Sequence, residues 1–575
     1  MSAPIRKRLL RRPRFIVFCA ICAILVVGAV HLIYVWNAPR NQAETPATEP
    51  RDAHRPTSPA EGTEEKERPN PSVITEGTRQ AETLVAELRD AIQKPSRTKI
   101  EEVKRRDPLE ILEDLTNLGP AAVPALIQEL KGEDREFRRC AALVLGHISP
   151  AAKDAVPALI QALKDEDKDV RSAAAEALGR IGPVTSNVVP TLVRAFQNER
   201  GLVRVSVAEA LARIDPADRN GVPALIQALK DKDAVVSWAA ADALGHIGGP
   251  AVPALIQVLK GDDREARLCA AYALYEIGPA AKDAVPTLVQ ALKDNDGEVR
   301  SRATEALEQI GPAARDAVPA LIQALKDKVW DVRWSAARAL GKIGPPQKDV
   351  IPALAQALKD EKQLVQSSAA EALGKFGTPA IPELIQTLKE KEWCVRSQAA
   401  HALGLIGTPA VSELIRTLND KEGCARSGAA QALAEIGSGA KDAVPALVQA
   451  LKDKDEEVRF CAGGALGRIG SPAVAALIQT LKDKASDVRS SAVAILGAIG
   501  PGAKDAVPAL IDVLKDKDEY MRECTAEALG NIGPAAKDAV LALTELLKDE
   551  SYRVRQRAQA ALQKIQPPSP APPGK

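Results

Sequence analysis

The sequence of 575 residues is poor in the residue types that fill globular cores and that build catalytic centres. Aromatic residues make up 3% of the chain, and there are only 2 methionines and 5 histidines. Because aromatic rings supply much of the bulk of a globular core, their scarcity argues against a chain of ordinary globular domains. An apolar content carried by Ala, Leu and Ile instead favours thin helices that pack close together.

A surplus of charge is also missing, except at the N-terminus. The net charge is +1, and residues 1–14 hold six basic residues and no acidic residue, so the remaining chain carries −5. The six are Arg6, Lys7, Arg8, Arg11, Arg12 and Arg14. Nucleic-acid-binding proteins need a concentrated basic surface. The mildly acidic body of this chain therefore predicts no nucleic-acid partner.

Sequence motifs for catalysis or metal binding are absent as well. There is no P-loop, no G-x-S-x-G, no H-E-x-x-H and no pair of CxxC motifs with zinc spacing. Cys19 and Cys22 lie inside an apolar run, and His147, His246 and His401 are far apart in the sequence. We therefore predict no catalytic residue, no metal site and no cofactor, and we expect that the chain is not an enzyme.

The stretch 15–36 is an uninterrupted run without Asp, Glu, Lys or Arg. A helix of this length spans the roughly 30 Å hydrocarbon core of a bilayer, at about 1.5 Å per residue. Tyr34 and Trp36 end the run, as interfacial aromatics do, and the run is longer than the apolar part of a cleaved signal peptide. The sequence predicts a single-pass signal anchor with residues 1–14 in the cytoplasm and everything after Trp36 outside it.

Residues 37–77 hold seven prolines among Glu, Thr, Ser, Arg and Asn. Such a segment cannot bury enough apolar surface to offset chain entropy, which predicts a disordered linker. The Pro-rich tail 567–575 is expected to be disordered too. Between them, we expect a helical N-terminal cap at 78–119 and a repeat array at 120–566.

The phrase Val-Pro-Ala-Leu-Ile-Gln-Ala-Leu-Lys-Asp recurs along the chain and defines a repeat whose position 0 is the Pro. The register positions, which number the repeats 1 to 14, are Pro124, Pro157, Pro190, Pro223, Pro253, Pro286, Pro319, Pro352, Pro382, Ser412, Pro445, Ala475, Pro508 and Leu541. We call a junction between repeats long where this spacing is 33 and short where it is 30. The difference lies between the closing Gly of one repeat and the next Pro, so the pattern predicts that only a surface loop varies.

Each repeat predicts two helices. Pro at position 0 suits the first turn of helix A, which should cover about three turns. Helix B should run from about position 12 to position 24 and stop at Gly. Positions 13, 17, 20, 21 and 24 are mostly Val, Ala, Ala, Leu and Ile, and they share one helical face that neighbouring repeats must cover. The predicted fold class is all-α: an α-solenoid of about 14 two-helix repeats, plus one N-terminal transmembrane helix.

Two motifs at a constant spacing carry a family resemblance. Val-Pro-x-Leu in helix A and Arg-x-x-Ala-x-x-Ala-Leu-x-x-Ile-Gly in helix B resemble the HEAT-like repeats of the phycobilisome-lyase type over about residues 120–565. The resemblance implies a structural ladder between Asp at position 8 and Arg at position 14. Its representative members are Asp165, Arg171, Asp231, Arg300, Asp453, Arg459 and Arg489. Deoxyhypusine hydroxylases share this fold and bind iron through His-Glu dipeptides, but no His-Glu pair occurs in this sequence.

Positions 15, 19 and 22 of helix B are predicted to face away from the core, and the resemblance implies that helix B lines a concave surface. Ser, Glu and Gly are the commonest residues at these three positions, whereas repeats 4, 5 and 7 carry large side chains. The candidate partner-binding residues are Trp238, Asp242, Leu268, Tyr272, Tyr275, Trp334 and Arg338. Trp and Tyr often anchor interfaces, and packing between repeats is the alternative interpretation.

Three functions remain open on the sequence alone. The aromatic positions and the lack of catalytic motifs favour a membrane-anchored protein–protein interaction scaffold, with a protein partner of unknown identity. A lyase-type enzyme or accessory subunit is the second possibility, and a purely structural spacer of the cell envelope is the third.

Overall fold

The computed structural model describes residues 71–93, 107–182, 188–214, 221–344 and 349–566. The basic tail, the predicted membrane span, most of the predicted linker and the C-terminal tail lie outside the described residues. The chain divides into two compact units, Met1–Val188 and Val189–Lys575. All regular structure in the described residues is helical.

Each repeat contributes a helix A and a helix B, so the predicted all-α solenoid of two-helix repeats is confirmed. The helices A are Val123–Glu129, Val156–Ala162, Val188–Asn198, Gly221–Ala228, Val252–Leu259, Val285–Ala291, Val318–Ala324, Val350–Ala357, Ile381–Thr387, Val411–Thr417, Val444–Ala450, Val474–Thr480, Val507–Val513 and Val540–Glu545. The helices B are Arg135–Ile148, Lys168–Ile181, Gly201–Ile214, Ala234–Ile247, Arg264–Ile277, Gly297–Ile310, Trp330–Ile343, Gln363–Phe376, Trp393–Ile406, Gly423–Ile436, Glu456–Ile469, Ser486–Ile499, Glu519–Ile532 and Tyr552–Ile565. Most helices A are shorter than expected, because the backbone tightens into a turn soon after position 5.

Repeat 6 illustrates why these residues form these elements. The Asp296 side chain caps helix B by accepting hydrogen bonds from the backbone N–H groups of Glu298 and Val299. The helix ends at Gly311, whose φ of +67° is a conformation that suits glycine. The predicted core positions are buried, as they are for Val299, Ala303, Ala306, Leu307 and Ile310.

In the first unit, the segment before repeat 1 contains the helices Pro71–Gln93 and Pro108–Asn117. The first helix begins inside the segment 37–77 that was expected to be a disordered linker, because Pro is well tolerated in the first turn of a helix. Its buried side chains are Ala81, Leu84, Val85 and Leu88. Arg89 on this helix pairs with Glu129 of repeat 1 at 2.6 Å.

An ion pair crosses the long junctions wherever position 8 of the following repeat is acidic. The guanidinium of Arg at position 14 binds the carboxylate of that Asp. The pairs are Arg138–Asp165, Arg204–Asp231, Arg267–Asp294, Arg300–Asp327, Arg333–Asp360, Arg426–Asp453, Arg489–Asp516 and Arg522–Asp549. Position 8 of repeat 3 holds Asn198 instead. Most of these arginines also donate to backbone carbonyls at positions 8 and 9 of their own repeat, as Arg300 does.

The four short junctions use a different contact. At three of them, Lys at position 7 pairs with the acid at position 8 of the next repeat. These pairs are Lys359–Glu390, Lys389–Asp420 and Lys452–Asp483. At the fourth, between repeats 4 and 5, the two ladder positions hold Ser237 and Gly261, so neither ladder partner is there.

Glycine at position 22 of helix B shows why the two kinds of junction differ. Across long junctions, a Cβ on this glycine would meet the Ala at position 20 of the next helix B, within 3.0 Å for Gly341 against Ala372 and for Gly497 against Ala528. Across short junctions it would instead meet position 23, as for Gly245 against Glu276. The short loop therefore shifts neighbouring helices B by about one helical turn.

Loop structure follows the same division. Most long connections contain seven-residue 3₁₀ segments, such as Gly311–Ala317, whereas the short ones contain three-residue segments, such as Thr378–Ala380. The length difference therefore lies in the connecting loop, as expected, and every described helix B keeps 14 residues. The loop nevertheless has an effect that the sequence pattern did not predict. Loop length decides which residues of neighbouring repeats face each other, and the ladder partners at positions 14 and 8 meet only across the long connection.

A matched pair of glycine substitutions tests this close helix packing. Gly341→Ala places a Cβ 2.8 Å from the Ala372 Cβ, and such overpacking should cost about 1–3 kcal/mol. Gly467→Ala is at the same repeat position but meets nothing within 4 Å, so it should stabilise the chain by about 0.5–1 kcal/mol through helix propensity. Denaturant unfolding measures the free energy of unfolding of both variants. Equal changes in the two would show that Gly341 is not held in a closer helix contact than Gly467.

A second pair of variants tests the ladder. Arg426 pairs with Asp453, whereas Arg459, one repeat later, donates to the carbonyls of Asp453 and Lys454 and has no ion pair among the described residues. Arg426→Ala should therefore cost about 2 kcal/mol more than Arg459→Ala at neutral pH, because it leaves a half-buried carboxylate without its partner.

The pH dependence of that difference has a defined sign. The hydrogen bond from Arg426 holds the pKa of Asp453 below its usual value, against the opposing effect of burial. A depressed pKa stabilises the fold above the unfolded value of about 3.9 and loses this effect as pH falls through the folded value. The two variants should converge in stability once the pH has fallen through the folded pKa of Asp453. A difference that persists unchanged in acid would rule out the carboxylate as its source.

Candidate protein-interaction surface

The candidate partner-binding residues lie on the helices B of repeats 4, 5 and 7, in the second unit. The structure brings Trp238, Tyr272 and Tyr275 into one cluster. The Trp238 and Tyr272 rings meet edge to face across the junction between repeats 4 and 5, with centroids 5.1 Å apart. The Tyr272 and Tyr275 rings are stacked, with centroids 6.3 Å apart. All three side chains are half-buried.

Trp334 lies outside this cluster and contacts an arginine. The Arg338 guanidinium lies over its ring at 4.7 Å from the centroid and donates to the Glu308 carboxylate at 2.9 Å. A similar arrangement occurs at Tyr272, where the Arg302 guanidinium lies 6.0 Å from the ring centroid. Arg302 also donates to Glu305 at 2.8 Å. Both rings are thus paired with a cation that is itself held by a carboxylate.

One predicted member must be removed from the exposed set. Leu268 is only 2% exposed, although its position 15 was expected to face outward. Positions 11, 12 and 23 are exposed in most repeats and position 19 is mostly half-buried. Positions 15 and 22 are half-buried or buried in nearly all repeats, on the side of helix B that the next repeat approaches. A helical wheel identifies the side of helix B that faces away from its own helix A. It does not show that the helix B of the next repeat covers part of that side.

Glycine at position 22 has a packing role, because it permits neighbouring helices B to touch. Tyr275 and Glu308 occupy this position in repeats 5 and 6, so they lie on the line of contact between repeats. Trp393, at the start of helix B in repeat 9, is 60% exposed.

Burial and nearby carboxylates set the electrostatics of the cluster. Burial, followed by the charge and hydrogen bond of Glu276, raises the pKa of Tyr272 to about 12, so its hydroxyl stays protonated. Burial also raises the pKa of Glu308, although Arg338 opposes the shift. Asp242 and Glu276 lie at the more exposed edge of the cluster, so its rim is acidic.

The predicted ladder residues divide into two groups. Asp165, Asp231, Arg300, Asp453 and Arg489 lie in ion pairs that cross long junctions. Arg171 donates to the carbonyls of Asp165 and Glu166, and Arg459 contacts carbonyls of its own repeat. A related arginine, Arg396, bypasses the adjacent repeat and donates to Glu457 two repeats later at 2.8 Å.

The described residues include no group of His, Cys, Asp or Glu that could hold a metal ion. The six described cysteines are free. Burial raises the pKa of the Cys140 and Cys269 thiols to about 11, which disfavours the reactive thiolate.

Sequence reasoning missed Arg302 and Glu308 at the candidate surface. Glu308 does carry a signal, because position 22 is Gly or Ala in every repeat except those of Tyr275, Glu308 and Gln563. Two successive repeats without a small residue at the closest helix contact mark a local change of surface. Arg302 lies at position 16, where most repeats have a small side chain, so its contact with Tyr272 is visible only in the structure.

One described helical stretch, Ser486–Val513, is long and apolar enough by length and composition to cross a membrane. It comprises helix B of repeat 12, a 3₁₀ segment and helix A of repeat 13. Val488, Ala492 and Leu496 within it are buried in the protein, which accounts for its apolar composition. The predicted anchor at 15–36 lies outside the described residues.

The geometry defines an α-solenoid whose repeats are joined through helix B. Comparison with protein families identifies HEAT repeats in overlapping matches at residues 123–212, 189–275, 252–316, 285–362, 351–434, 411–493 and 474–563. The chain belongs to the HEAT-repeat family. No match was found among curated proteins.

Several solved structures are similar to this chain. Kap121p bound to Nup53p is 15% identical with a TM-score of 0.43, and the match covers 86% of this chain and 69% of that one. Kap95p with RanGDP is 16% identical with a TM-score of 0.41, covering 85% and 72%. An engineered protein is 26% identical with a TM-score of 0.26, covering 77% and 98%. The chain spans 57% of a Kap121p mutant that it also resembles.

Proposed function

We propose that this HEAT-repeat protein is a membrane-held scaffold that binds a protein partner through the helices B of repeats 4 to 7. The observation that carries this proposal is the cluster of Trp238, Tyr272 and Tyr275, whose rings are in contact and half-buried. Such rings offer a large, rigid contact area that loses little conformational freedom on binding. The acidic rim adds polar groups that can orient a partner.

Crosslinking in intact cells tests this surface. A photocrosslinking amino acid at Val235, which is 60% exposed and lies three residues before Trp238 on the same helix, should give a discrete adduct of higher mass. The same amino acid at Gln290, an exposed helix A position in repeat 6, should give none. Adding Trp334→Ala to the first variant should weaken the adduct without large loss of thermal stability. Equal adducts from both positions, or none from Val235, would refute the assigned surface.

The proposed membrane attachment rests on the run 15–36, which lacks Asp, Glu, Lys and Arg and follows six basic residues. The positive-inside rule then places the repeats outside the cytoplasm. The lyase-type relation inferred from the repeat motif remains a prediction, and no geometry in the described residues favours it over a scaffold.

Protease treatment of intact spheroplasts tests the topology. External protease should degrade the repeats and spare an epitope tag placed before residue 15. Detergent lysis, which opens both compartments, is the control and should remove the tag as well. Repeats that resist external protease but are cleaved after lysis would place the solenoid in the cytoplasm and overturn the orientation.

A further inference from the structure

We propose that the segment held by this surface is an extended stretch of a partner protein that carries two Lys or Arg residues two or three positions apart. This inference rests on the proposed function and names the partner's chemistry. It starts from one motif, an aromatic ring with a carboxylate near it, on the helices B of repeats 4 to 7. Contacts show this motif twice, and the sequence spacing repeats it twice more, which makes four.

Two of the four motifs are already filled by arginines of this chain. Arg302 lies over Tyr272 and donates to Glu305, and Arg338 lies over Trp334 and donates to Glu308. A guanidinium above a ring is attracted by the ring's quadrupole, and the carboxylate fixes its orientation through a charge-assisted hydrogen bond. The chain itself therefore displays the contact that a basic partner residue would make.

The other two motifs have no such cation among the described residues. Trp238 has Asp242 one helical turn later on the same helix, and Tyr275 is followed directly by Glu276. The Asp242 side chain is 45% exposed, and the ring of His246 lies 3.5 Å from its carboxylate. Glu276 is exposed, and its carboxylate contributes, after burial, to the raised pKa of Tyr272. Both carboxylates are thus within reach of a partner beside a partly open ring.

The charge around these motifs has the sign that a cation requires. Asp242 and Glu276 lie next to the rings, whereas Arg302 and Arg338 are each held by a carboxylate, that of Glu305 and that of Glu308. Burial and then the charges of Glu276 and Asp242 raise the pKa of Tyr272, in keeping with two carboxylates close to its ring. An acidic partner segment would be repelled here, and an uncharged one would make no ion pair with either carboxylate.

The spacing of the open motifs sets the spacing of the partner residues. Trp238 and Tyr275 lie on the adjacent helices B of repeats 4 and 5, with the Tyr272 ring between them. The Tyr272 centroid lies 5.1 Å from that of Trp238 and 6.3 Å from that of Tyr275, so the two outer rings are at most about 11 Å apart. An extended chain rises about 3.3 Å per residue. Two basic residues separated by two or three positions therefore span the distance between the two motifs.

Fluorescence anisotropy with short labelled peptides tests the inference on the full chain in a non-ionic detergent. One peptide carries Arg at every third residue among Gly and Ser, and the others carry Glu or Gln at the same places. The arginine peptide should bind, and its affinity should fall at least severalfold when salt is raised from about 50 to 300 mM. The glutamate and glutamine peptides should not bind.

Matched variants locate the binding. Asp242→Asn with Glu276→Gln should weaken the arginine peptide at least tenfold. The control variant is Glu371→Gln with Glu435→Gln, which removes acids at the same positions 19 and 23 in repeats 8 and 10. No aromatic ring accompanies these acids, since positions 15 and 22 hold Ser367 and Ala434 there. The control should leave the affinity for the arginine peptide unchanged. Trp238→Phe keeps a ring and should retain binding, whereas Trp238→Leu should lose it, with melting temperatures confirming the fold of each variant.

The outcomes separate this inference from the proposed function. Equal binding of arginine and glutamate peptides, or equal loss in the double variant and its control, would overturn the inference. If adducts form at Val235 in cells while the arginine peptide fails to bind, the surface holds a partner of other chemistry and only the inference falls. If neither occurs, the proposed surface falls as well.

Discussion

The closest contact between neighbouring helices B, at position 22, is the constraint on which the rest of the repeat array depends. A Cβ at most of these glycines would come within 3.0 Å of the next helix, a distance at which backbone or a short side chain cannot give way. Helices packed this closely need cores of Ala, Leu and Ile, which explains why the chain has so few aromatic residues. It also means that a short change in the connecting loop cannot be absorbed by loose packing.

Loop length consequently selects between two registers of neighbouring helices, and the ion pairs follow the register. The long loop brings Arg at position 14 to Asp at position 8, whereas the short loop brings Lys at position 7 to that acid instead. The bidentate guanidinium contact of Arg300 with Asp327 is shielded from water, and such a contact restricts the angle between repeats more than a single ammonium contact does. The ladder is therefore a consequence of helix register and reinforces it.

The sequence was sufficient to predict the helices and their core, because those depend on the helical period and the same pattern recurs in every repeat. It was insufficient for contacts between repeats, because those depend on how far one helix slides along the next. Leu268 shows the limit: its position is on the outer side of its own helix, yet it is buried. Glu308 is a second example. The sequence shows that it replaces the usual glycine, but only the structure shows that it pairs with Arg338.

The aromatic cluster connects the packing of the repeats with the candidate binding surface, because it lies at a junction that has no ladder ion pair. Ser237 and Gly261 occupy the ladder positions between repeats 4 and 5, and the Trp238–Tyr272 contact crosses that same junction. The rings therefore serve packing and recognition together, so these two interpretations are not exclusive. A partner that grips Trp238 on one repeat and Tyr275 on the next would restrain a junction that has no ion pair of the ladder type. Binding and the geometry of this junction would then be coupled, since any ligand that favours one arrangement of the two repeats shifts their equilibrium toward it.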